Sequence, residues 1–138
     1  IRESDGIWYA HIRMWHKHVD DCLGEILKEC KALRIGSIFC ETNADKGYLR
    51  KSIIKKGHPC CAYSESENKY IKISTHLRSQ WANVRFLDCD GYPLDAEALN
   101  QVLDYSENAA HDDMPDSLAS AIRQWQCKPA LKFFKGGI

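Results

Sequence analysis

Between Phe86 and Ser120 the chain has no lysine and no arginine, while nine aspartates and glutamates fall in the same stretch, at positions 88, 90, 95, 97, 104, 107, 112, 113 and 116. Other absences narrow the class of protein. No apolar run approaches the roughly 20 residues needed to span a bilayer. Arg2 and Glu3 lead into a mixed strand rather than the apolar core of a secretory leader. The seven cysteines are an odd number without framework spacing, so a disulfide scaffold is not expected and a reducing, cytoplasmic setting is. Adjacent Cys60 and Cys61 follow His58, but no C-x-x-C pair exists to hold zinc. Gly47 to Ser52 lacks the second glycine of a phosphate-cradling loop, so this stretch binds no nucleotide that way. Internal repeats and low-complexity segments are also absent.

What is present is an ordinary globular composition, 44% hydrophobic and 28% charged over 138 residues. That length suits one domain able to bury a core. Residues 1–126 are expected to form it, with a short basic and aromatic tail at 127–138. The chain opens on Ile1 without a methionine. Ser4-Asp5-Gly6 is a hairpin-turn signal whose partner strand is expected upstream, so the chain reads as a piece of a longer polypeptide.

Strand signals lie at Ile7–Trp15, Ile35–Cys40, Cys60–Tyr63 and Val84–Leu87. Helical spacing runs from Val19 to Leu33, with Cys22 and Cys30 on the apolar face beside Leu23, Ile26 and Leu27. Further helices are expected over 44–56, stopped by Gly57 and Pro59, over 68–81, over 96–105, and from the acidic run through Trp125. In the helix over 68–81, Ile71, Thr75 and Leu77 are assigned inward, and Lys69, Lys72 and Arg78 outward. Strands alternating with helices predict an α/β layered fold around a mixed or parallel sheet.

Two features carry chemistry. The run His111-Asp112-Asp113-Met114-Pro115-Asp116 sets three carboxylates in five positions at the mouth of an apolar helix. Asp113 and Asp116 share one side of the first turn and repel. A divalent cation would remove that conflict. Helix capping by Asp113, with Pro115 in the first turn, accounts for one or two of the acids equally well. Glu41, at the end of an apolar strand and followed by Thr42 and Asn43, either caps the next helix or faces a crevice; a cap supplied by Asn43 would release it. Charge is segregated as well. Residues 46–85 carry nine lysines and arginines against Glu65 and Glu67, or +7, beside the −9 of residues 86–120. One block to hold phosphates and one to hold cations is what a metal-dependent nuclease needs, although two solvated faces that merely differ would look alike.

Phe39-Cys40-Glu41-Thr42-Asn43 on a strand end, Lys69-Tyr70-Ile71-Lys72-Ile73, Phe86-Leu87 on a strand, a helix with Leu99, Val102 and Tyr105, and then Asp112-Asp113-Met114-Pro115-Asp116-Ser117-Leu118-Ala119 follow one another in order. In that order and spacing, across about residues 7 to 125, the chain resembles the C-terminal nuclease domain of bacteriophage terminase large subunits. The last motif is specific and the others are weak singly. The resemblance implies a ribonuclease H-like fold with a mixed central sheet flanked by helices. It also implies cleavage of concatemeric double-stranded DNA with two divalent cations, Mg²⁺ or Mn²⁺.

By that analogy Glu41, Asp113 and Asp116 are catalytic and Asp112 joins them as a metal ligand. His111 and Asn43 support the site, and Lys51, Lys55, Lys56, Lys69 and Lys72 bind the DNA backbone. Implied partners are an ATPase domain upstream on the same polypeptide, the portal and the small terminase subunit. The implied setting is the host bacterial cytoplasm and, transiently, the procapsid portal. One element of the family pattern is unmatched: an initial strand bearing a metal-bridging aspartate has no counterpart before Ile7, and Asp5 belongs to a turn. A Holliday-junction resolvase, or a docking module that keeps the sheet without the chemistry, are the competing expectations.

Overall fold

The computed structural model describes residues 1–43 and 45–127. The expected tail falls almost wholly outside them. The chain folds as α/β, with a small mixed sheet, a second two-stranded sheet and five α-helices. None of these helices is long and apolar enough to cross a membrane.

Strands β1 (Arg2–Ser4) and β2 (Ile7–Ala10) form an antiparallel hairpin, Arg2 opposite Tyr9 and Ser4 opposite Ile7. The partner of β2 is therefore within the chain, not upstream of it as the turn signal suggested. Asp5 and Gly6 both take positive φ, 51° and 80°, the backbone twist that matches a two-residue hairpin. Strand β2 also pairs in parallel with β5 (Val84–Phe86), Trp8 opposite Val84. The second sheet joins β3 (Ile38–Glu41) to β4 (Cys60–Tyr63) in parallel, with Glu41 opposite Tyr63.

Helix α1 (Val19–Ala32) packs Leu23 and Leu27 against Cys40, Ile53 and Cys60 of β3, α2 (Tyr48–Lys55) and β4. Asp45 caps α2, its carboxylate accepting from Gly47 N at 2.8 Å and Leu49 N at 2.9 Å, which starts that helix later than its composition suggests. A larger apolar cluster joins Trp8, Ala10 and Ile12 to Val102 of α4 (Ala96–Leu103) and to Met114, Leu118, Ala119 and Ile122 of α5 (Asp113–Gln126). Helix α5 thus lies beneath the three-stranded sheet and is the floor of the domain.

The segment expected as one helix over 68–81 is three. An α-turn, α3 (Lys69–Lys72), passes into a π-turn at Ile73–Leu77 and then a 3₁₀ stretch at Arg78–Asn83. A π-turn adds a residue per turn and a 3₁₀ stretch removes part of one, so the 3.6 period does not hold across the segment. The inward and outward faces change accordingly. Ile71 is 55% exposed and Thr75 is exposed, whereas Lys72 and Ile73 are fully buried. Helical spacing points Lys72 outward, and the fold turns it into the core.

Candidate functional site

The N-terminus of α5 does not use its acids as caps. Asp112 stands at the N-cap but its side chain makes no capping bond. The second amide of that turn, Met114 N, donates instead to Gln101 Oε1 on α4 at 3.2 Å. Capping, the reading that explained part of the run, therefore falls to a neutral amide from another helix, and the carboxylates are left for other partners.

Those partners are lysines. Lys72, with no exposed surface, places Nζ 2.8 Å from Glu65 Oε2, 2.9 Å from Ser120 Oγ and 2.6 Å from Asp116 Oδ1. The approach to Asp116 is off the hydrogen-bonding direction, and Oδ1 is left buried without an ordinary hydrogen bond. Lys69 Nζ lies 3.0 Å from Asp112 Oδ1 and 3.9 Å from Asp116 Oδ2. Burial alone would pull the Lys72 ammonium down, and Asp116 and Glu65 more than reverse this, so its pKa is raised. The Lys69 pKa is raised first by its bond to Asp112.

Glu65 is the hub on the other side. Arg123 donates to both its oxygens, at 3.0 and 2.8 Å, a bidentate geometry that guanidinium favours. Burial would raise the Glu65 carboxyl, but Arg123 and Lys72 outweigh it and hold it near 2. Arg123 also stands 5.8 Å from the centre of the Tyr63 ring.

The segment that follows Glu41 is tied to the strand and loop that carry Glu65. Thr42 N and Oγ1 both donate to Tyr63 O, extending the β3–β4 ladder past the strand ends. Asn43 Nδ2 donates to Glu65 O, and Asn43 Oδ1 accepts from Glu65 N at 2.8 Å. The polar step after β3 is thus clamped to the segment that holds Glu65. With Asp45 serving as the cap of α2, Glu41 itself is exposed and makes no side-chain hydrogen bond or ion pair with any described residue. Burial raises the Tyr63 pKa most, a hydrogen bond with Ser120 works against this, and the charge of Glu41 raises it further. A cleft of about 700 Å³ runs along α5 beside it, lined by Tyr63, Phe39, Tyr9, Ser117, Ser120 and Gln124.

The sequence-derived residues therefore divide. Asp112, Asp116, Lys69 and Lys72 come together, and Glu41 makes no ion pair or side-chain hydrogen bond with them. Asp113 is exposed on the first turn of α5, near enough for its charge to bear on Lys69. His111 is exposed on the preceding loop. Lys51, Lys55 and Lys56 are exposed on and just after α2, without ion pairs among the described residues. Lys72 cannot contact a DNA backbone, because its ammonium is enclosed by carboxylates and a hydroxyl, and that assignment is withdrawn. Lys69 and Lys72 are also counter-ions of the acidic block, so the two charge blocks interlock at this point.

Glu65, Ser120 and Arg123 escaped the sequence reading, although one signal was available. Asp116, Ser120 and Arg123 recur at four and three residues along an otherwise apolar helix, a polar stripe on one face. Nothing comparable marked Glu65, whose role depends on the turn that buries Lys72.

The donor set suits a hard divalent ion: all its members are carboxylate oxygens, and Asp116 Oδ1 is a buried acceptor held by charge alone. Among the described residues no three His, Cys, Asp or Glu side chains are gathered around one point. Cys40 and Cys60, 3.3 Å apart and buried in the second sheet, behave as apolar thiols; burial and their mutual contact push Cys40 up to about 12. The chain matches none of the family models, curated proteins or solved structures with which it was compared.

Proposed function

We propose that this domain is a ribonuclease H-like endonuclease that hydrolyses double-stranded DNA with divalent cations, as the nuclease part of a viral DNA-packaging terminase. The observation that supports the reading is an exposed, unpaired Glu41 at the end of β3 together with Asp112, Asp113 and Asp116 crowded on the first turn of α5.

In this account Glu41 and Asp113, both exposed and unpaired with described cations, are the accessible ligands, and Asp116 and Asp112 complete the set. Bound there, Mg²⁺ or Mn²⁺ supplies a water of lowered pKa and offsets charge at the leaving oxygen. The chain's own residues do the rest. Asn43 and Glu65 fix the Glu41 segment, and Lys72 fixes Asp116. Lys51, Lys55 and Lys56 hold phosphates through sequence-independent, salt-sensitive contacts. An upstream ATPase domain, the portal and the small terminase subunit are partners in the same proposal.

The test is nicking of supercoiled plasmid with Mn²⁺, and with EDTA as control, by the longest natural polypeptide containing these residues. Wild type should nick only with the ion, and Glu41→Ala and Asp113→Ala should each lose at least about a hundredfold in rate. Undiminished cleavage by either variant, or an inert wild type, refutes the reading.

A further inference from the structure

Each of the two sheets ends in an open edge beside the same cleft. Strand β1 is terminal in the order β1-β2-β5, and β3 pairs with β4 alone, so each keeps an edge without a ladder partner among the described residues. The cleft of about 700 Å³ lies between them. Ile1 and Arg2 line it from the β1 side, Ser37 and Phe39 from the β3 side, and Ala121 and Gln124 from α5. Ile35, 43% exposed, also opens into it, and a side chain placed on Gly36 would meet no atom within 4 Å. Among the described residues the lining includes Arg2, Arg34 and His11 and no carboxylate, in a chain with 19 aspartates and glutamates. Arg2 and Arg34 make no ion pair with any described residue.

We propose that this cleft is a strand-acceptor slot, filled by an extended, acidic segment of a partner polypeptide that pairs with both β1 and β3. An open edge presents a row of backbone N–H and C=O groups that an added strand satisfies. A segment lying between two such edges finds that complement on both sides. A helix spends its backbone bonds internally and cannot supply it. Nucleic acid phosphates would answer the arginines but carry no donors for the edge carbonyls. In an added strand alternate side chains point to opposite faces, so apolar ones can cover Ile35 and Ala121 while the others stay outside. The two unpaired arginines set the preferred charge of the occupant as negative. No described strand is left over to fill the slot. Residues 128–138 hold three lysines and no acid, the wrong charge for it. The slot needs no metal and stands apart from the nuclease reading.

The experiment is fluorescence anisotropy of labelled peptides titrated with the 138-residue chain. The probes are an alternating valine–glutamate heptapeptide, its valine–lysine counterpart, and the valine–glutamate peptide N-methylated at alternate amides. Methylation removes the donors toward one edge and leaves the charge intact. The first peptide should bind, and each of the others should bind at least about tenfold more weakly. Replacing both arginines, Arg2→Gln with Arg34→Gln, should weaken the first about three- to tenfold. Equal binding by the methylated peptide overturns the slot, because charge alone would explain it. Absence of binding by every peptide at about 1 mM overturns it as well. Tighter binding of a labelled oligothymidylate would make the cleft a nucleic-acid groove, and dimerisation of the chain that the peptide reverses would make the occupant a second copy; either result overturns the proposal. The longest natural polypeptide should bind the first peptide as the 138-residue chain does. Loss of binding there would place a segment of the same polypeptide in the slot and overturn the partner.

Discussion

Lys72 Nζ lies 2.6 Å from Asp116 Oδ1, inside the domain and joining α3 to α5. Two buried charges of opposite sign offset one another's desolvation only while both are present. Replacing Lys72 by Met removes the inner cation of Asp116, although Arg123 still holds Glu65. The expected loss is about 3–5 kcal/mol, read from the shift of the urea midpoint. A loss under about 1 kcal/mol would show that water reaches this cluster and that the pair is not structural.

Acid should attack the same cluster. Glu65 titrates near 2 in the folded chain against an ordinary 4.5, so its pKa is depressed by folding. The stabilisation it gives is complete above the ordinary value and is lost as pH falls through the folded value. It amounts to something on the order of 3 kcal/mol. Urea melts taken between pH about 4.5 and about 2 should show stability falling steeply in wild type. Glu65→Gln starts lower and should lack that part of the slope. Identical slopes in the two proteins would assign the acid sensitivity to other carboxylates.

The π-turn makes a prediction that the helical period reverses. Ile71 is 55% exposed and Ile73 is fully buried. Ile73→Ala should cost about 2–5 kcal/mol, the range for emptying a buried isoleucine site. Ile71→Ala should stay within about 0.5 kcal/mol, as surface changes do. Thermal melts of the two variants decide it, and the opposite order would restore a regular α-helix through this segment.

That reversal shows where the sequence was legible. Strands with turn residues at their ends, such as Ile7–Ala10 and Cys60–Tyr63, and the long amphipathic helices at Val19–Ala32 and Asp113–Gln126 declared themselves, because local pattern and tertiary role agree there. Over 69–83 they do not. Burying Lys72 against Glu65, Asp116 and Ser120 is a long-range bargain between α3, α5 and the loop after β4, and no local period encodes it. The acidic run was visible as a conflict of charges, but its resolution was not. Lysine neighbours 44 and 43 residues away in sequence, Lys72 for Asp116 and Lys69 for Asp112, supply the cations that the run appeared to ask of a metal. Asp45 shows the same limit on a smaller scale, since only the loop geometry selects it over Asn43 and Glu41 as the cap of α2.

The most direct measurement of the central claim is an anomalous difference map from crystals soaked in Mn²⁺. The account predicts a peak within coordination distance of a Glu41 oxygen and of Asp113 or Asp116. A map without a peak there, in crystals whose protein cleaves DNA in the same Mn²⁺ solution, contradicts it.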